Sequence, residues 1–144
     1  MRIIGIASGF FNPLHVGHLD YLEEARRNCD FLIVFVNTDE QVKMKGSVPF
    51  MKLVDRMRIV QALECVDMAL ASISIDDTVC HDIYSVFEIF DKGDEKFKFF
   101  NSGDRTAENT PEYDTCKELG VELVIFDQPK VESSSNLLNN ISES

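Results

Sequence analysis

The chain has 144 residues, with 14 basic against 25 acidic side chains, a formal net charge of −11 and 44% hydrophobic residues. A chain of this length buries roughly 70% of the surface its unfolded form exposes, so residues 1–144 are expected to form one domain without disulfide or metal staples. The acidic balance argues against a nucleic-acid binder, whose affinity rests on cationic side chains neutralising phosphates, and no apolar run approaches the ~20 residues of a membrane span.

In chain order, residues 2–7 form a first expected strand, without the charged and small-residue zones that frame a signal peptide. A segment of helical period follows, in which Leu19, Leu22 and Ala25 recur opposite Asp20, Glu23, Glu24 and Arg26. Residues 31–37 are the second strand, and Met57, Val60 and Leu63 mark the next helix. A third strand at 68–73 leads into the clearest apolar stripe, Val79, Ile83, Val86, Phe87 and Phe90. After a fourth strand at 96–101, a helix is expected from Pro111, with Tyr113, Cys116 and Leu119 inward and Gly120 as its stop. The fifth strand is 121–126, and the last dozen residues, rich in Ser and Asn, predict a short helix with a frayed end.

Short, nearly continuous apolar runs alternating with helical segments are the pattern of parallel strands buried on both faces. The expected fold is therefore α/β, a Rossmann-like doubly wound five-stranded parallel sheet with helices on both faces. Ligands of such sheets sit beyond the carboxyl ends of the strands, so the loops after each strand are where chemistry is sought. The four cysteines, Cys29, Cys65, Cys80 and Cys116, have no CxxC pairing or zinc spacing, which predicts a reduced, cytoplasmic protein. Cys65 and Cys116 are expected to be small buried residues on helix stripes. Cys80 and His81, following Asp76-Asp77-Thr78, are candidates for the substrate side.

The loop after the first strand reads Ser8-Gly9-Phe10-Phe11-Asn12-Pro13-Leu14-His15-Val16-Gly17-His18. Gly9 permits a tight turn, Pro13 fixes the backbone, and Gly17 lets a ligand approach main-chain N–H groups. A helix beginning near His18 would aim its partial positive end at the same space, a ready anion site. His15 and His18, two of three histidines in the chain, can both donate from Nε2 to phosphate oxygens.

This run resembles the HxGH signature of the nucleotidyltransferase superfamily, and the rest of the chain resembles its cytidylyltransferase-like branch. The resemblance implies transfer of a nucleoside monophosphate from a triphosphate to a phosphorylated small alcohol or sugar, with release of pyrophosphate. His15 and His18 would stabilise the α-phosphate, with Gly9, Phe10, Phe11 and Asn12 on the nucleotide side. Mg²⁺ would arrive with the triphosphate, with no protein metal cage, and a homodimer is implied. The central segment favours CTP, whereas Asn12 with Pro13 resembles adenylyltransferases that use ATP.

Three further segments fit the same pattern. From Lys43 to Arg58 there are five basic residues and one acid, and no acid lies between Gln41 and Val54. By resemblance Lys45 is a third catalytic candidate and Lys43 a nucleotide ligand. Gly103, Asp104 and Arg105 follow the fourth strand, where a glycine allows close approach and the guanidinium is a forked phosphate donor. Lys130, Ser133, Ser134 and Ser135 precede a Leu-Leu pair and would cap the last helix while binding the triphosphate. The Arg-Thr-Glu-Gly-Ile run of glycerol-3-phosphate enzymes is absent here, which argues against that acceptor. A tRNA synthetase shares the signature but not the length or charge. A non-catalytic nucleotide-binding module on the same fold would have no need of both histidines and the lysine loop.

Overall fold

A computed structural model describes residues 1–102 and 106–126. Its elements are β1 (Arg2–Gly9), α1 (Val16–Arg27), β2 (Phe31–Val36), α2 (Asp39–Met44), α3 (Leu53–Gln61), β3 (Met68–Ala71), α4 (Cys80–Phe90), β4 (Glu95–Ser102), α5 (Tyr113–Leu119) and β5 (Glu122–Phe126). All strand pairs are parallel, in the order β3-β2-β1-β4-β5. The chain winds outward from β1 through β2 to β3, then returns to the other side of β1 as β4. That reversal makes the carboxyl end of β1 the topological switch point, the ligand position expected for this architecture.

Alternation along the strands divides the core in two. Ala7, Leu32, Val34, Val36, Ala69 and Phe100 face α1 and α3 through Tyr21, Leu22, Ala25 and Val60. Ile4, Ile6, Ile33, Phe35, Phe97 and Phe99 face α4 and α5 through Ile83, Val86 and Cys116. The doubly wound α/β sheet expected from the sequence is thus present, with helices on both faces. Gly5 has a packing reason: a Cβ there would lie 2.5 Å from Cys29 Sγ and 2.7 Å from Phe100 Cε2.

Several boundaries differ from expectation. β3 stops at Ala71 although the apolar pattern runs on, because the Ile73 N–H leaves the ladder for the Asp82 carboxylate at 2.7 Å. Ile73 and Ile75 are consequently 61% and 81% exposed. α1 begins at Val16 rather than near His18, since His15 itself caps it. Helix α2 was not expected. Thr38 accepts from the Gln41 N–H while Gln41 accepts from the Thr38 N–H, a capping box formed by the Thr-x-x-Gln run. α5 starts at Tyr113, two residues after Pro111, and ends at Gly120 in the left-handed conformation (φ 73°). Cys116 is buried as expected, and burial pushes its thiol up to about 12. Cys65 is not on a helix: α3 ends at Gln61, and Cys65 sits half-buried in the turn that follows.

Candidate active site

The loop at the end of β1 is shaped by packing before any ligand is considered. The Gly9 carbonyl accepts the Asn37 N–H at 3.0 Å, tying the ends of β1 and β2. Phe11 adopts a left-handed backbone (φ 51°), and its ring lies back over Gly9, where a Cβ would come within 2.7 Å of Phe11 Cζ. Gly9 therefore makes room for Phe11, and the Phe11 ring, 1% exposed, belongs to the core rather than to a nucleotide surface. The Asn12 carboxamide is engaged as well. Its Nδ2 donates to the Val48 carbonyl at 2.7 Å and its Oδ1 accepts from the Phe50 N–H at 2.8 Å, so it joins this loop to residues 48–51.

The two histidines form the N-terminal capping box of α1. His15 Nδ1 accepts from the Gly17 N–H at 3.0 Å, and His18 Nδ1 accepts from the His15 N–H at 3.2 Å. The Gly17 N–H is thus engaged by the His15 cap. The rings stack, with centroids 3.8 Å apart and planes inclined by 27°, and Phe11 meets His18 edge-on at 5.2 Å. A nitrogen that accepts an N–H carries no proton, so in the neutral tautomer each ring holds its proton on Nε2. Burial, together with the neighbouring His15, lowers the His18 pKa to about 4. The helix N-terminus adds its own partial positive charge beside these rings.

The basic segment behaves less uniformly than its composition implies. Lys43, in the last turn of α2, is exposed. Lys45 caps the same helix, and its Nζ lies 3.4 Å from Oδ2 of Asp77, in the loop between β3 and α4. Arg58 lies on α3, exposed, not in a ligand-side loop. Arg56 is 1% exposed. Its guanidinium donates to the carbonyls of Phe10, Asn37 and Met51 and to Asp39 Oδ1, at 2.6–2.9 Å. One of the five basic residues is therefore part of the interior, so the basic segment is not a single exposed cluster.

A buried polar network at the ends of β2 and β3 was not anticipated at all. Gln41 Oε1 accepts from Asn37 Nδ2 and the Thr38 N–H, while its Nε2 donates to Ser72 Oγ and the carbonyls of Asp76 and Thr78. The Asp82 carboxylate, fully buried in the first turn of α4, accepts from Ser72 Oγ, Ser74 Oγ and the Ile73 N–H. The sequence signal was an acid just inside a helix start, preceded by two serines, and its partners lie beyond local spacing. Cys80 opens α4 and leans toward the Pro111 carbonyl at 3.9 Å, and His81 is exposed. Gly103, Asp104, Arg105, Lys130, Ser133, Ser134 and Ser135 lie outside the described residues. No helix of the described residues is long and apolar enough to cross a membrane.

Comparisons with known proteins agree with the fold. The model of the cytidylyltransferase-like family matches residues 6–141. The bifunctional protein HldE of Streptomyces coelicolor is 32% identical over 140 residues, covering 95% of this chain and 28% of that protein. The chain spans between 13% and 28% of the length of the HldE proteins it matches. A lipopolysaccharide core biosynthesis protein from Thermoplasma volcanium has the same fold, with a TM-score of 0.68 and 21% identity over 90% of this chain and 99% of its own. A bifunctional NMN adenylyltransferase/ADP ribose pyrophosphatase from Francisella tularensis, solved with AMP and a manganese ion, superposes with a TM-score of 0.70 at 12% identity, covering 100% of this chain and 42% of its own. With the histidine pair at the switch point of a five-stranded parallel sheet, the chain belongs to the cytidylyltransferase-like family of nucleotidyltransferase enzymes.

Proposed function

We propose that this enzyme transfers a nucleoside monophosphate from CTP or ATP to a phosphorylated small alcohol or sugar. An acceptor phosphate oxygen bonds to the α-phosphorus as the bond to the bridging oxygen of pyrophosphate breaks, and pyrophosphate departs. The acceptor is already an anion, so no covalent enzyme intermediate is needed, and the protein's work is alignment and charge stabilisation. The observation that carries the reading is the stacked His15–His18 pair with both Nδ1 atoms engaged as acceptors in the helix cap, from which it follows that each neutral ring carries its proton on Nε2. Two preorganised N–H donors at a helix N-terminus suit charge developing on α-phosphate oxygens.

Lys45, now paired with Asp77, is taken to exchange that carboxylate for the triphosphate, with Lys43 beside it. Phe10 and Asn12 are taken to support the nucleotide through main-chain groups of their loop. Gly103, Asp104, Arg105, Lys130, Ser133, Ser134 and Ser135 are assigned to nucleotide and phosphate binding on their resemblance to the family's motifs. The histidines offer N–H donors rather than lone pairs, so Mg²⁺, a hard oxygen-seeking ion, would be held by the substrate's phosphates. When bound it supplies neutralisation of phosphate charge. Free thiols at Cys29, Cys65, Cys80 and Cys116 suit the reducing cytoplasm, which we take as its location. A homodimer is proposed on the family resemblance, and light scattering tests it.

The deciding experiment is a matrix of CTP, ATP, UTP and GTP against phosphorylated polyols, sugars and amino alcohols with Mg²⁺, read by pyrophosphate release. Turnover with CTP or ATP and one acceptor class is expected. Silence across the matrix would overturn the reading in favour of a non-catalytic nucleotide-binding module.

A further inference from the structure

We infer that Arg56 is a positioning residue for nucleotidyl transfer, which holds the histidine loop and the basic loop in register without touching phosphate; this rests on the function proposed above. Among the described residues, the guanidinium ties together three stretches of chain at the site: the histidine loop, the end of β2 running into α2, and the stretch after Lys45. Nη1 donates to the Phe10 carbonyl of the histidine loop at 2.8 Å and to the Asn37 carbonyl at the end of β2 at 2.6 Å. Nη2 donates to Asp39 Oδ1 at the start of α2 at 2.6 Å, and Nε to the Met51 carbonyl at 2.9 Å. Four of its five N–H groups are thus engaged, and its side chain has no exposed surface. Asp39, only partly buried, neutralises the charge, so the guanidinium is a poor candidate for a phosphate ligand.

Its grip is on the pieces that carry the chemistry. Phe10 lies on the segment that leads through the buried Phe11 to the His15 cap, and Met51 lies on the stretch that follows Lys45. Asn12 grips the same stretch from the other side, through Val48 and Phe50. A lysine at position 56 would keep the charge but cannot reach four acceptors in a planar fork. In its place the two loops would keep their ligands and lose their mutual spacing, and errors near 1 Å in such spacing lower turnover by orders of magnitude.

The test uses the full chain with the substrate pair found active for the wild type. Arg56→Lys and Asp39→Asn are compared with wild type by steady-state kinetics well below each variant's melting temperature, normalised to folded protein. Arg56→Lys is expected to lower kcat about tenfold or more, with KM for the triphosphate moving less than about threefold. Asp39→Asn, which keeps an acceptor oxygen but not the charge, should show the same split at about threefold in kcat. Unchanged kcat per folded molecule would make Arg56 purely structural, and a raised KM at constant kcat would make it a substrate ligand. Either result overturns the inference. If Arg56→Lys does not fold, Asp39→Asn decides by the same criteria. A wild type inactive over the whole matrix would instead remove the proposed function itself, a distinguishable failure.

Discussion

Lowering the pH should withdraw stability through His18 before most carboxylates titrate. The ring is held down to about 4, from an ordinary 6.5, first by burial and second by His15 stacked against it. In the unfolded chain the same ring takes up its proton near 6.5. Between the two values the unfolded state binds more protons than the folded one, so stability rises with pH in that window. The contribution is complete above about 6.5 and is lost as the pH falls from there toward about 4. Each pH unit is worth about 1.4 kcal/mol, so descending from 6.5 to about 5 removes about 2 kcal/mol and the whole window about 3 kcal/mol. Urea unfolding of wild type and His18→Gln at about pH 7 and about pH 5 isolates the term. The glutamine loses ring stacking and is less stable at neutral pH, but has nothing to titrate. The stability gap between the two proteins should therefore narrow by about 2 kcal/mol on acidification. A gap constant to within about 0.5 kcal/mol would refute the argument that His18 is held neutral by its surroundings. Phosphate beside the ring acts in the opposite sense by favouring its protonated form, so triphosphate binding should take up protons, which calorimetry in buffers of different ionisation heat detects.

Four other outcomes are expected. His15→Ala should lower kcat about 10²–10³-fold while removing only about 1 kcal/mol of stability as a lost helix cap; near-normal pyrophosphate release would count against the assignment. Lys45→Ala should raise KM for the triphosphate with little change in melting temperature, because its only described ion pair is an exposed one with Asp77, worth about 1 kcal/mol or less. Gly5→Ala, forced against Cys29 and Phe100, should cost about 1–3 kcal/mol in denaturant titration and leave activity per folded molecule intact. Asp82→Ala removes the buried acceptor of the Ser72 and Ser74 hydroxyls and the Ile73 N–H, and should cost about 3 kcal/mol or more, read as a lower urea midpoint.

Much of the architecture was legible in the residues alone. Runs such as Leu32-Ile33-Val34-Phe35 are apolar on both faces and too short for helices, so they read as buried parallel strands. The Val79-to-Phe90 stripe and Gly120 likewise announce one helix and the end of another. The strands set the end of the sheet at which a ligand is expected, and the paired histidines after the first of them motivate the proposed phosphate chemistry. These features are local: each depends on periodicity, a cap or a turn, within about ten residues. Composition also read correctly as acidic overall with a basic segment, but it could not sort that segment. Arg56 became interior because its partners at Phe10, Asn37 and Asp39 stand 46, 19 and 17 residues away and converge only once β1, β2 and α2 are assembled. Asn12 and Gln41 are similar cases, with partners 36–39 and 31–37 residues distant. Even the histidines, identified by type and spacing, needed the folded cap to determine which ring nitrogen carries the proton. The sequence by itself determined the sheet, and it placed the paired histidines at the carboxyl end of β1, where we propose that phosphate is recognised. Tertiary structure alone decided which polar groups serve the fold, because a buried donor must find its acceptor wherever folding brings one within reach.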